Sequence, residues 1–306
     1  IGAVIQGQSA TYAWTPTTGL SSATNVTPTA NPTATTIYRV TATETSSGCT
    51  ASDEVNVIVD KSLPNIDAGA DFTKTCDSNA SGGTIGVSPI SGQTYSWSPS
   101  TNLSSTTIAN PTANPTATTT YTLTATKSAT GCTATDTVVV TVNKKVPVAN
   151  AGADFTKTCI TNPSGAIIGV AAVTGVAYSW SPTTGLSDST LSNLTANPSE
   201  TTEYTLTTTN IASGCTETDK VLVTVDQSTI ASDAGADFSK TCATNATGKL
   251  IGVTAAPGAT YSWSPATGLS DALIANPMAN PVSPTSYIVT TTKTATGCAT
   301  TDSVAV

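Results

Sequence analysis

The chain has 306 residues, only 10% of them charged, and a formal net charge of −8. Nucleic acids and anionic membranes attract clusters of Lys and Arg, so an acidic chain of low charge is not expected to bind either. The sequence contains no histidine, which excludes Ser–His and Cys–His catalysis and imidazole metal sites. Its apolar runs have the length of strands, too short to cross a bilayer.

An internal repeat of 83 residues runs from Trp14 to Asp302 without an insertion. We expect eight recurring rings to fill the cores: Trp14, Trp97, Trp180 and Trp263, with Tyr38, Tyr121, Tyr204 and Tyr287. A unit of this length can close a core of its own, unlike the shorter repeats of a solenoid. We therefore predict four domains in series: a partial repeat 1–62 without its N-terminal strand, full repeats 63–145 and 146–228, and a repeat 229–306 with a truncated last strand.

Each repeat is predicted to be all-β. In the repeat 63–145 we predict strands near 71–76, 84–88, 93–98, 106–109, 118–127 and 132–142. Alternation supports them, because Tyr121, Leu123 and Ala125 fall on one face and threonines on the other. Short strands between Gly, Pro, Asn and Ser clusters indicate tandem immunoglobulin-like β-sandwiches, with a jelly roll or small barrel as the alternative. Tyr121 stands where a tyrosine corner would lie, and Gly131 is expected in a left-handed hairpin position.

Seven cysteines follow the same register, and two of them fall in every full repeat. We predict disulfides within the repeats: Cys76 with Cys132, Cys159 with Cys215, and Cys242 with Cys298. Zinc is the alternative, but it would need four nearby soft ligands, and two cysteines without histidine cannot provide them. Disulfides indicate an oxidising, exported setting.

Cys49 is left over in this pairing, because its partner would lie before residue 1. Val306 also falls a few residues short of a finished strand when it is aligned with Val140. We therefore expect the chain to be a segment of a longer tandem array, with the partner of Cys49 outside this segment. A free reactive thiol is the alternative.

An ordered series of short motifs recurs in the repeats. In the second repeat it reads Asp67-Ala-Gly-Ala-Asp71, Tyr95-Ser-Trp97-Ser-Pro99, Ile108-Ala-Asn110-Pro111, Thr119-Thr120-Tyr121-Thr-Leu and Gly131-Cys132-Thr-Ala-Thr-Asp136. The series resembles the immunoglobulin-like and PKD-like repeats of secreted Bacteroidota proteins. More narrowly, it is similar to the repeat region of gliding-motility adhesins of the SprB type, which are cargo of the type 9 secretion system.

The resemblance implies a long cell-surface filament attached to the outer membrane, with no catalytic residues to carry over. It implies two kinds of partner. One is an external surface or polysaccharide, bound through other parts of the full-length protein. The other is the secretion and motility machinery of the outer membrane.

Three recurring sets of side chains are candidates for binding or crosslinking chemistry. The aromatic rings could stack on sugars, but Trp97 and Tyr95 share a face and are expected in the core. Aspartates near the repeat ends could bind calcium at the junctions, although turn capping is favoured: Asp71, Asp136, Asp154, Asp219, Asp237 and Asp302. Calcium apart, no cofactor is expected. Lys74, Lys157 and Lys240 are expected to be solvated rather than crosslinked to asparagine.

Thr137 and Ser303 occupy equivalent places in Asp-Thr-Val and Asp-Ser-Val triplets. These triplets resemble the O-glycosylation motif of Bacteroidota exports, so both residues are candidate acceptors. An unmodified threonine-rich strand is the alternative.

The sequence thus predicts a non-enzymatic stalk, part of a giant cell-surface adhesin used for attachment and gliding. An array of carbohydrate-binding modules and a self-assembling extracellular filament are the alternatives. No repeat departs from the others with a nucleophile motif, an extra acid pair or a phosphate-binding loop, so no enzyme is expected.

Overall fold

The computed structural model describes residues 1–2 and 9–306, and in these the chain is all-β, with no helix. The predicted fold class, tandem immunoglobulin-like sandwiches, is confirmed. Residues 3–8, which belong to the predicted partial repeat 1–62, lie outside the described residues.

Two compact units divide the chain. The first comprises Ile1–Lys74 and Asn79–Asn143, and the second comprises Thr75–Ser78 and Lys144–Val306. The four domain boundaries expected from the sequence stay a prediction.

The strands of the first unit follow the alternating segments of the sequence. They are β1 (Ala10–Thr15), β2 (Thr36–Glu44), β3 (Thr50–Val57), β4 (Phe72–Lys74), β5 (Gly83–Thr84), β6 (Gln93–Ser98), β7 (Thr112–Ala113), β8 (Thr119–Lys127) and β9 (Thr133–Val142). Along β8, Tyr121, Leu123 and Ala125 are buried and the residues between them are not, because successive side chains of a strand point to opposite faces.

The second unit repeats this series. Its strands are β10 (Phe155–Lys157), β11 (Ala166–Gly169), β12 (Val176–Ser181), β13 (Asn193–Ala196), β14 (Thr202–Asn210), β15 (Thr216–Val225), β16 (Lys249–Leu250), β17 (Ala259–Ser264), β18 (Met278–Ala279), β19 (Ser286–Lys293) and β20 (Ala299–Ala305).

A four-stranded sheet and a two-stranded sheet form each complete sandwich. In the first unit their orders are β4-β9-β8-β6 and β5-β7, and in the second β10-β15-β14-β12 and β11-β13. The short strand β4 runs parallel to the long strand β9, with Phe72 opposite Val140 and Lys74 opposite Val142. The other pairs in these sheets, apart from the equivalent β10·β15 pair, are antiparallel.

Separate hydrophobic cores lie in the successive repeats. The core of the second repeat gathers Ile85, Trp97, Tyr121, Leu123 and Val138, and equivalent residues form the other cores. Since aromatic side chains bury the largest apolar areas, these rings dominate the burial in each repeat.

The predicted strand at 106–109 is wrong. The backbone amide of Trp97 donates to the Thr106 carbonyl at 2.9 Å, and the indole Nε1 of Trp97 donates to the Ile108 carbonyl at 3.0 Å. These carbonyls therefore accept hydrogen bonds from Trp97 and not from a neighbouring strand. The second strand of the small sheet is β7. The predicted strand 84–88 is shorter than expected, because Gly86 turns the chain with φ +73° and donates to the Ala68 carbonyl.

Candidate functional site: the disulfide-linked joints

The structure pairs the cysteines between repeats. Cys76 is bonded to Cys215 and Cys159 to Cys298. The predicted pairs Cys76–Cys132, Cys159–Cys215 and Cys242–Cys298 are therefore wrong. Among the described residues, Cys49, Cys132 and Cys242 are free thiols.

Strand register explains the error. Cys76 follows β4, whose last residue Lys74 lies beside Val142 at the end of β9. Cys132 directly precedes β9, so the ten residues of that strand, about 30 Å at ~3.3 Å per residue, separate the two cysteines. A disulfide needs Cα atoms roughly 4.4–6.8 Å apart. Each of the repeats 63–145, 146–228 and 229–306 thus carries one cysteine at each end, and only a neighbour can supply the partner.

Both disulfides sit in the same backbone arrangement, which we call a joint. In one joint, the Cys159 amide donates to the Thr296 carbonyl at 3.0 Å, and the Thr296 hydroxyl donates to the Ser228 carbonyl at 2.8 Å. The Cα atoms of Cys159 and Cys298 are 5.1 Å apart. Cys298 itself is only 2% exposed, so the bond is shielded from solvent on that side.

The second joint has matching contacts. The Cys76 amide donates to the Ser213 carbonyl at 2.9 Å, and the Ser213 hydroxyl donates to the Lys145 carbonyl at 2.7 Å. Cys215 is buried. One half of each joint is therefore a hairpin with a hydroxyl residue, a glycine and a cysteine in series, Ser213-Gly214-Cys215 or Thr296-Gly297-Cys298. The other half is the turn that bears Cys76 or Cys159.

Glycine allows the two halves to approach closely. A Cβ atom at Gly214 would lie 2.6 Å from the Cβ of Asp77, and one at Gly297 would overlap the side chain of Ile160. Both glycines also have positive φ, 65° and 69°, which L side chains adopt only at a cost.

The eight expected core rings are all buried. The tryptophans are 2–3% exposed and the tyrosines fully buried. The hydroxyl of Tyr121 donates to the Thr101 carbonyl at 3.0 Å, twenty residues upstream, whereas a tyrosine corner bonds the backbone only a few residues upstream. Burial raises the pKa of Tyr121, Tyr204 and Tyr287. These rings present no face on which a sugar could stack.

The recurring aspartates connect each repeat's first segment to its last strand. Asp136 Oδ2 accepts the Ala68 amide at 2.8 Å, while Asp71 Oδ1 accepts the Val139 amide at 2.8 Å. The same reciprocal bonds recur with Asp219, Asp154, Asp302 and Asp237. The backbone amides of Ala234 and Ser303 lower the pKa of Asp302. No group of three or more Cys, Asp or Glu side chains suited to a metal occurs in the described part of the chain.

The prediction that the recurring lysines are solvated is wrong for Lys74 and Lys157. Lys74 and Lys157 are buried, and the Nζ atoms of Lys157 and Lys240 donate to the carbonyls of Pro198 and Pro281 at 2.8 and 2.9 Å. Lys74 Nζ donates to the Pro115 carbonyl at 2.9 Å and to Asn114 Oδ1. The lysine stems lie against the sandwich, and the ammonium groups close a proline loop.

The candidate glycosylation residues lie on the last strands. Thr137 on β9 and Ser303 on β20 are both exposed. Modification of these hydroxyls stays a prediction.

No signal in the sequence separates the observed pairing from the expected one. A separation of 139 residues and one of 56 both recur with the same 83-residue period. Only the parallel register of β4 on β9 places the two cysteines of a repeat at opposite ends.

No protein-family model matches the chain, and no curated protein matches it. Among solved structures, extracellular cadherin domains 1–4 of protocadherin gamma B7 align with 98% of this chain and 91% of their own at 11% identity, with a TM-score of 0.36. A variant of titin domains I67–I69 aligns with 78% of this chain and 96% of its own at 11% identity and a TM-score of 0.37. Drosophila N-cadherin EC1–4 aligns with 100% and 93% at 10% identity and a TM-score of 0.29. Similarities this weak carry no functional assignment.

Within the described residues, no helix has the length and apolar character needed to span a membrane.

Proposed function

We propose that the chain is a non-enzymatic stalk segment of an extracellular adhesin, which keeps a binding element away from the cell. Disulfides form and persist in exported proteins, which supports an extracellular location. The resemblance of the repeat motifs supplies the finer part of the proposal. It comprises attachment to the outer membrane, export by type 9 secretion, and a role in surface attachment and gliding.

The connectivity of the two disulfides carries the proposal. A chain pulled at both ends is limited by its shortest covalent path. That path crosses from Cys76 to Cys215, runs back along the backbone to Cys159, and crosses to Cys298. It has 56 residue steps between the disulfides, whereas a path through one disulfide alone has 83 between Cys76 and Cys298, so the segment 159–215 bears the tension at full extension.

The segment between Cys159 and Cys215 contains Trp180, Tyr204 and Leu206, the large buried residues of one core. The segments 76–159 and 215–298 are longer than this path and stay slack at full extension. A stalk that must hold its length under shear gains from this arrangement, because loss of one disulfide lengthens the path only from 56 to 83 residue steps.

Single-molecule force spectroscopy of the chain, held at its two ends, tests the stalk proposal. With both disulfides intact, we expect the fully extended length to fall short of that of the reduced chain by 166 residue steps, less the span of two disulfides. At about 3.3–3.6 Å per residue, this difference is roughly 540–590 Å.

A variant with Cys159→Ser and Cys298→Ser provides the matched control. It keeps only the Cys76–Cys215 bond, so its extended length should exceed that of the oxidised native chain by 27 residue steps, roughly 85–90 Å once the lost disulfide is subtracted. Replacing Cys76 and Cys215 as well should release the remaining 139 steps. An unchanged extended length after loss of the first bond would contradict the path through both disulfides and remove the main support for a stalk.

A further inference from the structure

In both joints, one cysteine of the disulfide is enclosed and the other faces solvent. The hairpin cysteines, Cys215 and Cys298, are each 2% exposed. Their Sγ atoms lie 3.8 Å from backbone carbonyl oxygens of their own hairpins. The turn cysteines, Cys76 and Cys159, are exposed. Each disulfide therefore has two unlike sides, and the difference has the same direction in both joints.

This asymmetry selects the sulfur that an external thiol can attack. A thiolate approaches a disulfide along the S–S axis, from the side opposite the sulfur that leaves. The rate of exchange depends on which sulfur is attacked and on access to it. The open approach leads to the turn cysteine, whereas attack on the hairpin cysteine requires the joint to open first. Exchange in the folded chain therefore begins at the turn cysteine.

The residue that follows the turn cysteine differs in charge between the two joints. Asp77 occupies this place in one joint, and a Cβ atom at Gly214 would lie 3.1 Å from its Oδ2 atom. Ile160 occupies the same place in the other joint and lies against Gly297. A thiolate that approaches the first joint thus meets a carboxylate, whereas one that approaches the second meets an aliphatic side chain.

We propose that the turn cysteines are the sites at which the joints form mixed disulfides with small external thiols, and that Asp77 disfavours anionic thiols at the Cys76–Cys215 joint. Two like charges about 6 Å apart in water repel each other enough to lower a rate about threefold. The Cys159–Cys298 joint has Ile160 in this place and lacks that barrier. The chain thus offers two joints with the same reactive position and different selectivity.

The reaction is a single thiol–disulfide exchange. The external thiolate attacks the Sγ of the turn cysteine and forms a mixed disulfide with it. The original S–S bond breaks, and its electron pair goes to the hairpin sulfur, which leaves as a thiolate and takes a proton from water. The external thiol is oxidised and the hairpin cysteine is reduced, while the turn cysteine stays in a disulfide.

Mapping of the first adduct tests which sulfur reacts. The full chain with Cys49→Ser, Cys132→Ser and Cys242→Ser keeps both joints, and its four remaining cysteines are all in disulfides. It is treated with glutathione, quenched early with acid, alkylated and digested. Glutathione should be found on the turn cysteines and the alkyl group on the hairpin cysteines. In denaturant, this preference should disappear. Adducts mainly on the hairpin cysteines, or equally on both in the folded chain, would overturn the proposal.

Thiols of different charge test the role of Asp77 in the same variant. The thiolate of mercaptoethanesulfonate carries two negative charges, whereas that of cysteamine is neutral overall. The ratio of the rate at Cys159 to the rate at Cys76 should be at least threefold higher with mercaptoethanesulfonate, and the difference should shrink in high salt.

Asp77→Asn is the matched change for this measurement. It should remove the dependence of the ratio on thiol charge by raising the rate at Cys76 with the anion, and it should leave the rate at Cys159 unchanged. A ratio that is equal for the two thiols, or one that keeps its charge dependence in Asp77→Asn, would refute the role of Asp77. The stalk proposal is unaffected by either result, because no load is applied.

Discussion

At the scale of single residues, the large aromatic side chains determine where each core lies. Trp180 is 2% exposed, and its indole Nε1 donates to the Leu191 carbonyl at 2.9 Å, so one side chain fills the core and holds the loop that crosses it. Tyr178, two residues earlier on β12, is half-buried and accepts the Val173 amide through its hydroxyl at 2.8 Å. The two rings share a strand but differ in burial.

Trp180→Phe should therefore destabilise its repeat much more than Tyr178→Phe. The tryptophan change removes buried volume and leaves the Leu191 carbonyl without its donor, at a cost of about 2–4 kcal/mol. The tyrosine change keeps the ring and removes one half-exposed hydrogen bond, at a cost of about 1 kcal/mol or less. Amide hydrogen exchange over residues 176–210 measures both. Equal losses would contradict the core role of Trp180.

At the scale of strands, reciprocal aspartate bonds hold the first segment of a repeat against its last strand. Asp302 at the middle of β20 accepts the Ala234 amide at 2.8 Å, and Asp237 accepts the Ala305 amide at 2.7 Å. An ionised carboxylate makes stronger hydrogen bonds with amides than a neutral group does. The recurring aspartates thus have a structural role that accounts for their fixed positions.

Protection of the Ala234 amide from hydrogen exchange should depend on the ionisation of Asp302. Because the folded-state pKa of Asp302 is lowered from 3.8, its contribution is complete above that value and is lost as the pH falls through the lower, folded-state pKa. Exchange measured against pH and corrected for the intrinsic rate should show this loss in the native chain. In Asp302→Asn, the protection should be lower at neutral pH and free of this step.

Asp53→Asn is the matched control for that measurement. Asp53 occupies the equivalent place in the first repeat, where its Oδ1 accepts the Glu54 amide at 2.8 Å. The substitution should leave the profile of Ala234 unchanged. A step that persists in Asp302→Asn would assign the titration to another group.

At the scale of the whole molecule, the joints depend on glycines that admit a neighbour. Gly131 and Gly297 hold equivalent hairpin positions with φ of 71° and 69°. A Cβ atom at Gly131 would meet nothing within 4 Å, whereas one at Gly297 would overlap Ile160. The two glycines therefore share the same backbone requirement and differ only in the contact across the joint.

Gly297→Ala should shift the Cys159–Cys298 pair toward its reduced form. Both alanine variants carry the strain of positive φ, about 1 kcal/mol, but only Gly297→Ala adds overpacking of roughly 1–3 kcal/mol at a joint. Titration with glutathione followed by mass mapping measures the fraction oxidised. Gly131→Ala should leave both disulfides at native values, and in Gly297→Ala the Cys76–Cys215 bond should also stay unchanged. An equal shift in the two variants would show that the joint contact adds nothing.

The sequence by itself determined the fold class of the repeats and the side chains that fill their cores. The 83-residue period, the alternation along strands such as β8 and the recurring rings predicted an all-β chain with aromatic cores, because side-chain polarity and β-propensity are local properties. The same local patterns misplaced a strand at 106–109, where Trp97 takes carbonyls that a ladder would otherwise use. They also predicted solvated lysines, although proline carbonyls bind Lys74 and Lys157 in the fold.

Only the tertiary structure decided which cysteines meet. The spacing in the sequence is compatible with pairs inside a repeat or between repeats, since both recur with the same period. The parallel pairing of β4 with β9 places Cys76 at one end of the sandwich and Cys132 at the other. A disulfide spans only a few ångströms between Cα atoms. Because of this register, disulfides cannot form within a repeat and form between repeats instead.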